Sequence, residues 1–246
     1  MNSNQKTTRT AGVLYLLLMI AASLSLMYFQ AAFTVPGDAA ATANKIRASE
    51  LLFRFGIVID LVSGIIFIVL VLSLYRLLKG VNKNHALLMV TLAMFSASIS
   101  FINILNKIAA LILVSGDDFL SAFTQHQQEA MAMFFLRLQG NAIFVGMIFW
   151  GLWLLPFGIL VYRSGFLPRI LGVLLIINCF AYLVNSLTSL LVPHYGPAVF
   201  KLMVLPETGQ LWIALWLLIK GVKVQPTGEP AFIHGDRSGE SALQAI

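Results

Sequence analysis

A chain of 246 residues in which 59% are apolar and only 11% charged cannot present the charged surface, about a quarter of all residues, that soluble domains carry. A mean hydropathy of +0.88 makes lipid the solvent for most of it. The formal net charge of +6 does not point to nucleic acid, because the basic residues edge the apolar segments and form no single stripe, and the lone cysteine, Cys179, excludes an intramolecular disulfide and a cysteine cage for a metal.

The N-terminal "MNSNQKTTRTAGVLYLLLMIAASLSLMYFQAAF" sets a short basic region before an apolar one, as a signal peptide does. Its apolar core, Ala11 to about Phe29, is nearer the ~20 residues of a span than the ~7–15 of a cleaved leader. It reads as a retained first helix, Thr10–Ala31. The Pro-Gly-Asp turn of "TVPGDAAATANKIRASE" follows, with Asp38 placed to cap a short alanine-rich helix leading to the second span, Leu52–Leu78. "KGVNKNH" turns the chain into the third, Ala86–Leu113. "SGDDFLSAFTQHQQEAMAMFFLRLQG" predicts an interfacial helix extending the fourth span, Gly140–Tyr162, outwards. "RSGFLPR" is a short link to the fifth, Ile170–Val192, and the sixth is Ala198–Ile219. From Lys223 the chain turns polar and rich in Gly and Pro, the pattern of a disordered tail.

The predicted fold is therefore an all-α polytopic membrane bundle of six transmembrane helices over residues 10–222, flanked by residues 1–9 and a tail, 223–246. Barrel strands are excluded because their alternation is absent. Lys6, Arg9, Arg76, Lys79, Lys83, Arg163, Arg169, Lys220 and Lys223 fall on one side if six helices alternate, which places both termini in the cytoplasm.

Leu205-Pro206-Glu207-Thr208-Gly209 spells a sortase signal. The signal needs a complete span after it and a very short basic tail, whereas Gln210 to Ile219 is half a span and more than twenty residues follow Lys220. The expectation is an unprocessed motif inside the sixth span, with Pro206 kinking the helix and Gly209 permitting close approach.

Helical spacing gathers the intramembrane polar residues. Ser96, Ser100, Asn103 and Lys107 form one stripe on the third span, and Asn178, Tyr182, Asn185 and Ser189 repeat its spacing on the fifth. Asp60 with Ser63 and Gly64 lies on the second, Gln139 and Asn141 open the fourth, and Glu207 and Gln210 lie on the sixth. Isolated Ser and Asn often only bond neighbouring helices, at ~0.6 kcal/mol each. Asp60, Lys107 and Glu207 are harder to dismiss, since a central charge costs ~2.5–3.5 kcal/mol even on a mild scale. The expected site is a polar cavity in the outer leaflet, built from Asp60, Ser63, Ser100, Asn103, Lys107, Asn141, Tyr182, Asn185, Glu207 and Gln210, with Lys107 lying between the two acids.

No cofactor or metal is expected: the histidines, His85, His126, His194 and His234, lie near span ends or in the tail, and neither a Walker nor a Rossmann glycine motif is present. A carboxylate enzyme using Asp60 and Glu207 is the alternative reaction-bearing reading.

"VPGDAAATANKIRASELLFRFGIVIDL" and "YRSGFLPRILGVLLIINCFAYLVNSL" resemble the bacterial multi-spanning proteins grouped as domain of unknown function 4386. The resemblance, from about Arg9 to Val222, implies a protein of the bacterial cytoplasmic membrane and implies no reaction. In that family's pattern the last span carries Gly-Glu-Leu where this chain has Gly209-Gln210-Leu211, and the fifth often has an acid at the position of Asn185. The expected role is non-enzymatic: binding a small or lipidic ligand as a sensor, accessory subunit or simple permease, with the bilayer as partner and a structural membrane partner as the second class.

Overall fold

The computed structural model describes residues 3–25 and 30–221. Every regular element in them is helical: α1 (Ser3–Ser23), α2 (Gln30–Phe33), α3 (Ala39–Ala48), α4 (Glu50–Leu78), α5 (Lys83–Ser115), α6 (Gln125–Leu152), α7 (Leu154–Arg163), α8 (Arg169–Leu191), α9 (Gly196–Met203) and α10 (Gly209–Ile219). The predicted tail lies outside the described residues.

Side-chain caps set several of these boundaries. Asp38 accepts the Ala41 N–H at 2.8 Å and starts α3, as its turn context predicts. Asn82 accepts the His85 N–H at 3.0 Å and starts α5, and Gly116, at φ 81°, ends that helix in the left-handed conformation that glycine adopts without strain. Thr124 and Gln127 form a reciprocal capping box at the start of α6. That box explains why the helix begins at Gln125 and runs unbroken into the fourth apolar segment: its polar first turns are held by Arg47 of α3, whose guanidinium lies 3.0 Å from Glu129, and by Gln128, which donates to the Leu120 carbonyl.

Among the described residues four helical stretches, Glu50–Leu78, Lys83–Ser115, Gln125–Arg163 and Arg169–Leu191, are long and apolar enough to cross a membrane; a bent pair, Pro193–Met203 with Pro206–Ile219, makes a fifth if taken as one span. The expectation of a single helix over Ala198–Ile219 is thus corrected. The two pieces meet at 55°, because Pro206 has no N–H to give and its ring crowds the preceding turn. Residues 206–208 form a 3-10 turn before α10 begins. Of the first apolar segment, Thr7–Ser23 is a shorter apolar helix, and residues 26–29, within the expected span, lie outside the described residues.

The helices close a ring. α1 packs on α4, α4 on α5, α5 on α6, α6 on α8, α8 on α10, and α10 returns to α1, while α7 packs against α5 and α8. Two apolar clusters fill its two ends. One joins Ala11 and Tyr15 of α1 to Leu70, Leu74, Met89, Phe157, Leu171 and Leu217, with Trp153 stacked on Phe157 at 5.4 Å. The other joins Phe33, Ile46 and Phe53 to Ile104, Leu111, Leu120 and Leu136. Arg76, Lys79, Lys83, Arg163, Arg169 and Lys220 sit at helix ends beyond the first cluster. Outward faces are mostly apolar, with Leu51, Ile102 and Leu105 at 70%, 66% and 59% exposure, surface that lipid and not water accommodates.

Close backbone approaches hold the ring tight. A Cβ on Gly172 would lie 2.6 Å from the Gly158 carbonyl oxygen, where α7 and α8 cross, and one on Gly209 would lie 2.6 Å from the Leu174 carbonyl oxygen. Only glycine lets the backbones come so close. The second contact seats the start of α10 on α8 and so fixes where Glu207 stands.

Candidate polar cavity

Between the two apolar clusters the ring surrounds a half-open cavity of about 360 Å³. Asp60 enters it from α4 and Lys107 from α5, with Lys107 Nζ 2.6 Å from Asp60 Oδ2 and the side chains only 18% and 11% exposed. Ser25, two residues beyond α1, donates its hydroxyl to Asp60 Oδ1. Both carboxylate oxygens of Asp60 are therefore engaged, which is the condition under which a buried charge pair is tolerated. Gly64, one turn from Asp60, leaves room for the Phe101 ring: a Cβ there would lie 2.6 Å from it.

Glu207 approaches the same cavity from the 3-10 turn before α10. Asn185 Nδ2 donates to its Oε1 at 3.0 Å, and Asn178 Nδ2 donates to its backbone carbonyl, so α8 fixes both its side chain and its main chain. Among the described residues no cation lies within ion-pair distance of it. Beside it runs a relay of three side chains. Tyr15 OH donates to Gln210 Oε1 at 2.7 Å, and Gln210 Nε2 donates to Tyr182 OH at 3.2 Å, tying α1, α10 and α8 together.

The sequence-predicted residues Asp60, Ser63, Ser100, Asn103, Lys107, Tyr182, Glu207 and Gln210 all line this one cavity. Asn185 stands behind Glu207 as its donor, fully buried. Asn141 does not belong. It is exposed and bonds the Arg137 carbonyl of its own helix at 2.9 Å, because two residues beyond Gln139 is about 200° around a helix. Gln139 itself lines the cavity, and its carbonyl accepts from Asn103 at 3.1 Å. Lys107 and Gln139 also line a second space of about 20 Å³ towards Phe33 and Phe53, so they form the partition between the two.

The expectation that Lys107 lies between two acids is corrected: among the described residues Lys107 pairs with Asp60 alone. Also absent from the expected site are Tyr15, Ser25 and the aromatic wall of Phe67, Trp150 and Trp153. A hydroxyl in the otherwise aliphatic run "GVLYLLLMI" is the signal that could have found Tyr15. The aromatic residues have no such signal, since spacing alone does not separate a cavity wall from a lipid-facing ring. Among the described residues no three His, Cys, Asp or Glu side chains come together as a metal set.

These features define an all-helical, membrane-embedded protein with a polar interior. The chain belongs to the family described as Domain of unknown function (DUF4386), whose model matches residues 10–221. It is also similar to an uncharacterised protein of Archaeoglobus fulgidus, 28% identical over 165 residues, covering 65% of this chain and 83% of that one. The relative is archaeal, so the likeness is not confined to bacteria. No solved structure matches.

Proposed function

We propose that the protein spans the cytoplasmic membrane six times with both termini inside, and binds a small or lipidic ligand in the central cavity as a sensor, accessory subunit or simple permease. The six spans take α1 and the bent α9–α10 pair together with the four long stretches. The orientation is supported by the basic residues beyond the first apolar cluster, and it puts the Asp60–Lys107 end of the cavity in the outer half of the bilayer. The observation that carries the reading is the cavity itself: about 360 Å³ is within the size of small-molecule sites, and few convergent polar groups on apolar and aromatic walls are their usual lining.

Asp60, with both oxygens occupied by Ser25 and Lys107, is poorly placed to act as a base, which weighs against a carboxylate enzyme. A scaffold is the second reading, favoured by the Tyr15–Gln210–Tyr182 relay, which links helices whether or not anything binds. Native mass spectrometry of protein released gently from its own membranes separates the two. A bound mass on the wild type that is lost on Ser100→Trp, a change that fills the cavity, is the expected result. A bare mass in both overturns ligand binding and leaves the scaffold.

A further inference from the structure

Two hydroxyls in the cavity lining offer acceptors to it. Ser63 spends its proton on the Ile59 carbonyl and Ser100 spends its own on the Ser96 carbonyl, so each hydroxyl turns only lone pairs to the space. Tyr15 donates to Gln210, whose amide donates in turn to Tyr182. Lys107 is matched in charge by Asp60. One formal negative charge is left over, on Glu207, whose Oε2 has no hydrogen-bond partner among the described residues. The rings of Tyr15, Tyr182, Trp150 and Trp153 line the same cavity, and the electron-rich faces of such rings attract cations.

We propose that the cavity takes an organic cation, a ligand whose ammonium group sits against the Glu207 carboxylate while its apolar part lies along the aromatic wall. This rests on the ligand-binding reading above and narrows it. An ammonium brings donors to the Glu207 carboxylate and to the Ser63 and Ser100 hydroxyls, and brings the charge that balances the acid. A neutral ligand brings no charge to the carboxylate and leaves the acid to keep its own proton, and an anionic one would add to the charge there. Asn185, held in place as donor to Oε1, keeps the carboxylate turned so that its second oxygen is free for the ligand.

The test uses the full chain in lipid nanodiscs and three probes of one size: hexylamine, hexanol and hexanoate. Tryptophan fluorescence serves as the binding signal, since Trp150 and Trp153 line the cavity. Hexylamine is expected to bind saturably and about tenfold or more tighter than hexanol, the worth of one charge-assisted hydrogen bond, and hexanoate weakest of all. In Glu207→Gln the amine preference should fall to within about twofold while hexanol binding persists. The wild-type ranking of the probes stands independently of whether that variant folds. Equal binding of amine and alcohol by the wild type overturns the cation proposal and leaves a neutral cavity. Failure of every probe overturns it as well, and the mass spectra then decide whether ligand binding itself stands.

Discussion

Removing Lys107 isolates the buried ion pair of the cavity. In Lys107→Met the apolar stem is kept and the ammonium lost, leaving Asp60 with the Ser25 hydroxyl as its one donor among the described residues. Side chains only 11% and 18% exposed place this among buried pairs, where deleting one partner costs about 3–5 kcal/mol because the other charge is stranded. At about 2–4 °C per kcal/mol for a chain of this size, the unfolding midpoint in detergent should fall by about 6–20 °C. Asp60→Asn should cost a similar amount by stranding the lysine. The double variant should recover about 2–3 kcal/mol relative to the sum, since neither charge then remains. Glu207→Gln supplies the contrast: because Glu207 is bound by Asn185 and not by Lys107, its effect should add to that of Lys107→Met within about 0.5 kcal/mol. Coupling below about 0.5 kcal/mol between Asp60 and Lys107 would refute the reasoning. So would strong coupling between Lys107 and Glu207, which would restore a lysine shared by two acids.

Gly172→Ala should destabilise by about 1–3 kcal/mol, because its Cβ would meet the Gly158 carbonyl and the Tyr162 backbone within 2.7 Å; Gly80→Ala, with nothing within 4 Å, should stay within about 0.5 kcal/mol. Equal thermal shifts for the two would contradict the close helix crossing. In a Cys179-free background, cysteines at the exposed positions Ala40 and Ser121 should react with an impermeant maleimide on intact cells, and one at exposed Asn84 only after permeabilisation. Labelling at Asn84 from outside would invert the proposed orientation and move the Asp60–Lys107 end of the cavity to the inner leaflet.

The sequence by itself determined the solvent, the helical class and most of the cavity's polar residues. Low charge and long apolar runs leave only helices in lipid, and 3.6-residue periodicity puts Ser100, Asn103 and Lys107 on one face without knowledge of the partner helix. Caps such as Asp38 were equally legible, because a cap acts within three residues of itself. Only the tertiary structure decided which charges meet. Lys107 reaches Asp60, forty-seven positions away, and leaves Glu207 to Asn185, since the packing of Gly209 on Leu174 holds the start of α10 against α8. Periodicity fixes the face of a residue and says nothing of the rotation of one helix against another. For the same reason Asn141 was misassigned, and Tyr15 and the tryptophans became a cavity wall only when the ring of helices closed around them.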